Sequence, residues 1–320
     1  VVTAEADAHA HTVLAKAAHE NFPVAPRFLP AAWRDDLMAV YGFARLVDDI
    51  GDGDLAPGGL DAAYLGVDRA QREDRLAMLD AFEADLHRVF RTAAPAVGGS
   101  ADGSAAASSA AAGGAEPGHP LLRALVPTVR RRALTPEPFL GLIEANRQDQ
   151  KVRRYADFGE LLAYCELSAN PVGRLVLALT GTATPERVRR SDAVCTGLQI
   201  VEHLQDVAED LARGRIYLPA ADMARFHVSE ADLAAPTANA SVRTLIAFES
   251  ERARQLLSEG GPLIDSVGGR LRLLLAGFVG GGLAALRAIR AAGYDVLPGP
   301  PVPTKRGLLR EVGTALRREG

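Results

Sequence analysis

Two cysteines in 320 residues, Cys165 and Cys195, cannot build a disulfide framework and fit a reducing compartment. Basic charge is not in excess either. The 36 Lys and Arg against 40 Asp and Glu give a net charge of −4, which argues against a nucleic-acid binder. Residues 1–20, VVTAEADAHAHTVLAKAAHE, are polar and Ala-rich and show no secretory signal. The longest uncharged apolar run, LLLAGFVGGGLAAL between Arg272 and Arg287, has 14 residues where a membrane span needs roughly 20. It predicts a deeply buried helix. A cytoplasmic protein is expected, with peripheral contact at the inner face of a membrane left open.

No convincing alternation of apolar and polar residues predicts a strand, whereas helical periodicity runs through the chain. Helices are expected over about 8–19, 32–50, 69–92, 120–133, 136–149, 157–180, 185–212, 241–258, 262–290 and 305–318. Pro30, Pro136, Pro219 and Pro298 fall at or near those boundaries. The fold class is all-α. One stretch differs from the rest: residues 91–118, RTAAPAVGGSADGSAAASSAAAGGAEPG, have almost no side chains able to pack. They read as a disordered surface insertion. Candidate site residues occur on both sides of it, so a single domain over 1–320 is expected.

The chemistry is concentrated in two places. Upstream of ARLVDDIGD (44–52), residues such as Trp33, Leu37, Val40 and Phe43 give an apolar helical spread, yet Asp48, Asp49 and Asp52 arrive together. Asp48 and Asp52 are four apart and share a helix face, while Asp49 points away by about 100°. In TGLQIVEHLQDVAEDLARGRIYLP (196–219), the stripe Leu198, Val201, Leu204, Val207 and Leu211 is flanked by Gln199, Glu202, Asp206 and Asp210 on one face. Like charges at this spacing destabilise a helix by about 0.2–0.5 kcal/mol. Burying them costs several kcal/mol unless they are paired or bind a cation. One such pair is ordinarily a solvated edge. Two pairs on apolar helices point to cation binding.

Hard oxygen ligands suit Mg²⁺ rather than Zn²⁺. His203 stands offset from Asp206 with no second His at ligand spacing, and reads as a packing or exposed residue. Mg²⁺ binds through few carboxylates and completes its shell with water and phosphate, so several ions holding a diphosphate are expected. A metal-clamped diphosphate is a good leaving group. The carbocation it leaves requires a dry apolar chamber, with aromatic faces able to stabilise it.

YGFARLVDDIGD and LQIVEHLQDVAEDLARGRIYLP resemble the two aspartate-rich signatures of the squalene/phytoene synthase family. HENFPVAPRFLP (19–30), ANRQDQKVRRYADFGELLAYC (145–165), SANPVGRLVL (168–177) and GGGLAALRAIRAAGYDVL (280–297) look most like its bacterial hydroxysqualene synthases of hopanoid biosynthesis. The resemblance spans nearly the whole chain apart from 91–118. It implies an all-α isoprenoid synthase fold, a helical bundle around an apolar cavity. It also implies Mg²⁺ bound by Asp48, Asp52, Glu202, Asp206 and Asp210, and diphosphate contacts from Arg45, Gln199, Arg215 and Tyr217. A substrate pocket including Asn21, Phe22, Tyr41, Tyr164, Glu166 and Asn170 is implied as well.

Two positions depart from the family pattern. Glu202 stands where Asn is common, and Glu166 where condensing relatives often carry Tyr; Glu166 is a candidate for holding the water that traps the cation. Gly280, Gly281 and Gly282 either open space for a polyisoprenoid tail or permit close helix packing. Lys305 or Arg306 in the basic tail is a candidate to reach phosphate, and the tail helix to touch an anionic membrane. The leading expectation is a hydroxysqualene synthase acting on presqualene diphosphate, functionally coupled to a presqualene diphosphate synthase. The alternatives are a head-to-head prenyl diphosphate condensing enzyme and a non-catalytic helical assembly factor.

Overall fold

The computed structural model describes residues 13–14, 25–94 and 116–317. Within it the chain forms two compact units, Val1–Arg147 and Gln148–Gly320. Among the described residues there is no strand; one isolated bridge joins Arg154 to Ile216.

The first unit contains α1 (Ala31–Asp52), α2 (Leu60–Leu65), α3 (Arg75–Ala93), α4 (Pro120–Arg132) and all but the last two residues of α5 (Glu137–Asp149). Helix α1 begins after Pro30 and stops at Gly53, whose left-handed backbone (φ 76°) returns its N–H to the Asp49 and Ile50 carbonyls. Phe43 of α1 stacks on Phe82 at 5.0 Å and meets the edge of Phe139 at 4.9 Å. All three rings are fully buried, a core for α1, α3 and α5.

Buried charge fixes the other helices of this unit. Asp85 accepts the Gly118 and His119 backbone N–H groups at 2.7 and 2.9 Å, gripping the chain just before α4. His119 caps α4 through Nδ1 and reaches Asp61 through Nε2 at 3.0 Å. Asp36 on α1 receives Thr128, Arg131 and Arg132 of α4. Burial alone would raise its carboxyl, but those hydrogen bonds outweigh it and hold it below the usual range.

The second unit opens with α6 (Phe158–Ser168) and α7 (Asn170–Leu179), followed by α8 (Pro185–Gln205) and α9 (Val207–Ala212). Three elements missing from the sequence expectation or differently bounded follow: α10 (Ala220–Arg225), α11 (Glu230–Leu233) and α12 (Ala240–Gly260). A 3-10 turn, Gly261–Leu263, leads to α13 (Gly269–Ala291) and α14 (Lys305–Leu316). Helix α12 lies along α8, with Gly197 admitting Leu257. Helix α14 runs against α13, tied by Arg272 donating to the Leu316 carbonyl at 2.9 Å and by Arg287 pairing with Glu311 at 2.5 Å.

Three expected helices are cut where local backbone overrides the periodicity. The 157–180 helix breaks at Ala169 (φ −114°), before Pro171, which lacks the N–H to continue the ladder. The 185–212 helix breaks at Asp206 (φ −104°, ψ 15°). The 262–290 helix starts only at Gly269, whose φ is 59°. The helix containing the apolar run is longer than that run, 23 residues, because four arginines are included within it. By length and composition it could cross a membrane, yet 61% of its most apolar window is buried by neighbours. The expected helix at 8–19 and most of 91–118 lie outside the described residues.

Candidate active site

In the first unit, Asp48 and Asp52 occupy successive turns at the end of α1. Asn146 of α5 donates to Asp48 Oδ1 at 3.1 Å and to the Leu142 carbonyl at 3.1 Å. Its side chain passes directly over Gly51, where any Cβ would collide with it. The glycine of DDIGD is therefore a packing requirement of Asn146. Solvent reaches Asp48, but the surrounding protein is dense enough that burial raises its carboxyl to about 7. The Asn146 hydrogen bond and Arg45 act against this, while Asp52 and Asp49 add to it.

Asp49 is 3% exposed and forms an ion pair with Arg45, Nε to Oδ1 at 2.9 Å and Nη2 to Oδ1 at 2.7 Å. The carboxylate that points away from Asp48 and Asp52 is thus structural. Arg45, expected on the diphosphate, is turned to Asp49. Tyr41 lies half-buried one turn earlier.

In the second unit, Glu202, Asp206 and Asp210 stay in register across the break. The Asp206 N–H donates to the Glu202 carbonyl at 3.0 Å and the Asp210 N–H to the Asp206 carbonyl at 2.8 Å. Burial raises the Asp206 carboxyl above the usual range. It lifts Asp210 to about 7, with Asp206 adding and Arg215 opposing. Arg215 follows Gly214 (φ 79°) and is itself buried, its N–H bonded to the Asp210 carbonyl at 2.8 Å. Glu202 is exposed but near enough to Asp210 to contribute to that rise.

Beside this motif is a buried cluster that the sequence reading did not assemble. Tyr164 donates to Asp149 Oδ2 at 2.7 Å and Tyr217 to Asp149 Oδ1 at 3.0 Å. Tyr155 stacks on Tyr217 at 5.7 Å and lies 5.5 Å from Tyr164. His203 lies against the other rings, 6.2 Å from Tyr164. Burial lowers its pKa to about 3, so the imidazole is neutral. Gln199 Nε2 stands 3.4 Å from His203 Nε2. Burial and the Asp149 charge raise both Tyr164 and Tyr217, keeping the phenols protonated as donors.

Two anticipated pocket residues have other surroundings. Glu166 lies two positions beyond Tyr164, roughly 200° around the helix. It is exposed, and its charge acts on Arg174, which pairs with Asp192 at 2.7 Å. That placement does not support the water-holding role. Asn170 is buried and accepts from Thr196 at 2.9 Å, locking α7 to α8. Asn21 and Phe22 lie outside the described residues. Lys305 and Arg306 are exposed on α14.

Asn146, Asp149 and Tyr155 were missed as individual residues, while His203 packs against the rings as one of its two expected placements. The signal was available in NRQDQ, where Asn146 and Asp149 are three apart on one helix and so lie within a turn of each other. Among the described residues no three His, Cys, Asp or Glu side chains gather as a ready metal cluster. Carboxylate pairs without a closed cage suit a cation that brings ligands of its own, as Mg²⁺ does with phosphate.

An all-α chain with two aspartate-rich motifs, one ending a helix and one interrupting it, has the fold of the isoprenoid synthases. The model of the squalene/phytoene synthase family matches residues 15–307, and the chain belongs to that family. It is 31% identical over 249 residues to the hydroxysqualene synthase of Rhodopseudomonas palustris, covering 78% of this chain and 71% of that protein. To the phytoene synthase of Arthrospira platensis it is 30% identical over 257 residues, covering 76% and 71%. The crystal structure of squalene synthase HpnC from Alicyclobacillus acidocaldarius superposes with a TM-score of 0.71 at 38% identity, covering 91% of this chain and 96% of that one. The chain is accordingly an isoprenoid synthase enzyme.

Proposed function

We propose that the chain is a hydroxysqualene synthase, which ionises and rearranges presqualene diphosphate, captures the cation with water and releases diphosphate. The observation carrying the chemistry is that each motif sets like-charged carboxylates one turn apart, Asp48 and Asp52 at the end of α1 and Asp206 and Asp210 across the break after α8, with burial lifting Asp210 to about 7. A divalent cation at each motif would offset that repulsion. The donors are hard oxygens, which fit Mg²⁺. Asp48 and Asp52 would hold Mg²⁺ at the first motif, and Glu202, Asp206 and Asp210 at the second. When bound, Mg²⁺ supplies charge neutralisation for the departing diphosphate.

This chain's own residues account for the remainder. Arg215 brings a buried guanidinium beside Asp210, suited to a phosphate oxygen. Tyr155, Tyr164 and Tyr217 bring aromatic faces of the kind that stabilise a carbocation. Water capture as the final step rests on the likeness to the Rhodopseudomonas enzyme. The comparable likeness to a phytoene synthase favours a second reading, a prenyltransferase joining two prenyl diphosphates head to head. Purified protein given Mg²⁺ and either presqualene or farnesyl diphosphate decides between them by mass spectrometry of the extracted products. Hydroxysqualene from presqualene diphosphate alone supports the first reading; products from farnesyl diphosphate alone overturn it in favour of the second. Chelation with EDTA should abolish turnover in either case.

The apolar product suits contact with a membrane. Val302 is 78% and Leu309 72% exposed, beside Lys305, Arg306 and Arg310. This mix of apolar and basic groups fits an anionic bilayer. Sedimentation with phosphatidylglycerol but not phosphatidylcholine vesicles, lost in Leu309→Glu, is the expected result. The two free cysteines agree with a cytoplasmic location, where a presqualene diphosphate synthase would supply the substrate.

A further inference from the structure

A groove of about 650 Å³ lies in the second unit between α12, α13 and α14. None of Gln199, Glu202, Asp206, Asp210, Arg215 or Tyr217 lines it. Its apolar side is formed by Val279, Leu283 and Leu286 of α13. Ser250 of α12, 7% exposed, lines the opposite side, and its buried hydroxyl has no hydrogen-bond partner. A serine within a helix ordinarily returns its hydroxyl to the carbonyl four residues back. Ser250 does not, so a buried donor is left without a partner in the wall of the groove, which is costly.

The charges at the rim are unequal. Arg254 is held by Glu251 and Arg287 by the buried Glu311, each at 2.5 Å. Arg290 completes the rim and has no carboxylate partner among the described residues. Two neutralised pairs plus one unmatched guanidinium, an orphan hydroxyl and an aliphatic wall define complementary halves. One half suits an anionic head group and the other a hydrocarbon chain. The volume lies within the usual range for small-molecule sites, about 300–1,000 Å³.

We propose that this groove is a binding site for an anionic amphiphile, a single apolar chain ending in a phosphate or carboxylate, separate from the aspartate-rich motifs. Ser250 and Arg290 receive the head group, and Val279, Leu283 and Leu286 receive the chain. The site does not depend on which product the enzyme makes.

Dodecyl phosphate is a suitable probe because it has no allylic leaving group. Its binding to the full chain is measured calorimetrically with Mg²⁺ and inorganic diphosphate at saturation, which fills any site at the motifs. Binding should persist under these conditions and weaken about tenfold in Arg290→Ala, the loss of one charge-assisted hydrogen bond. Ser250→Val should weaken it similarly, with circular dichroism confirming that both variants are folded. Inorganic phosphate and dodecanol should each bind at least tenfold more weakly than the probe. Dodecyl sulfate and laurate distinguish a phosphate-specific head-group site from a general anion site, both within the proposal. Loss of binding when diphosphate is added, equal binding by both variants, or equal binding of dodecanol would each overturn it.

Discussion

The imidazole of His203 lies flat on the phenol of Tyr217, with ring centroids 3.8 Å apart and planes 10° from parallel. His203 Nδ1 is 3.9 Å from Asp210, so the ring could be mistaken for the cationic partner of that carboxylate. Burial lowers its pKa to about 3, which makes it a neutral spacer between the aromatic cluster and the acidic motif. The unfolded chain protonates this His below its ordinary value near 6.5, and the folded chain does not. Its contribution to stability is therefore present above about 6.5 and is lost as pH falls toward 3. His203→Phe keeps the stack and removes that dependence. Calorimetry at pH 7 and pH 5 should show a smaller fall in Tm for the variant than for the parent; equal falls would show that the imidazole is already charged.

Asp149 is the shared acceptor of two tyrosines, and each hydroxyl depends on it. Tyr217→Phe should cost about 1.5–3 kcal/mol, the range for a hydrogen bond to a charged group. Asp149→Asn leaves one carbonyl oxygen for two donors, so it should destabilise by at least as much and lower kcat with it. In a double-mutant cycle, Tyr217→Phe should cost less in the Asp149→Asn background than in the parent. Additive losses would mean the tyrosine acts independently of Asp149.

Asp48 and Asp210 titrate in the opposite sense to His203. Their folded pKa values, about 7, lie above the ordinary aspartate value of 3.8. The folded chain then holds more protons between those limits, and stability falls as pH rises from about 4 to about 7. Asp48→Asn and Asp210→Asn should raise Tm at pH 8 in the absence of Mg²⁺ and leave it nearly unchanged at pH 4. Each should lower turnover at least about 100-fold, the upper end of losses seen on disturbing a metal's outer shell. A Tm gain of equal size at both pH values would remove the charge explanation.

The helical class was legible because apolar residues recur at helical spacing around each motif, and the role of Asp49 followed from a 100° rotation. The breaks were harder to read. Asp206 interrupts a helix whose hydrogen bonds, from Asp206 to Glu202 and from Asp210 to Asp206, continue on either side, so periodicity carries no mark of it. The Asp149 cluster joins residues 149, 155, 164, 203 and 217, and only tertiary packing brings such separations together. The pairing of Arg45 with Asp49 was hard to read for a related reason. Its spacing serves Asp49 and Asp48 alike, and burial of Asp49 decides which one receives the direct bond.

Gly280 and Gly277 lie three residues apart on α13 and should respond oppositely to the same change. A Cβ at Gly280 would lie 2.7 Å from the Val312 backbone nitrogen and 2.8 Å from its Cα. These are main-chain atoms of α14 and cannot rotate away. Gly282 meets the side-chain ends of Leu198 at 2.7 Å and Leu257 at 2.9 Å, so packing accounts for both glycines without a substrate tail, more rigidly at Gly280. A Cβ at Gly277 meets nothing within 4 Å. Gly277→Ala should stabilise by up to about 1 kcal/mol through helix propensity. Gly280→Ala gains the same propensity but forces α14 off α13, for a net loss of about 1–3 kcal/mol by overpacking. Urea unfolding of the two variants measures both effects. If Gly280→Ala proved as stable as Gly277→Ala, with a product of altered chain length, the position would border the substrate rather than a helix.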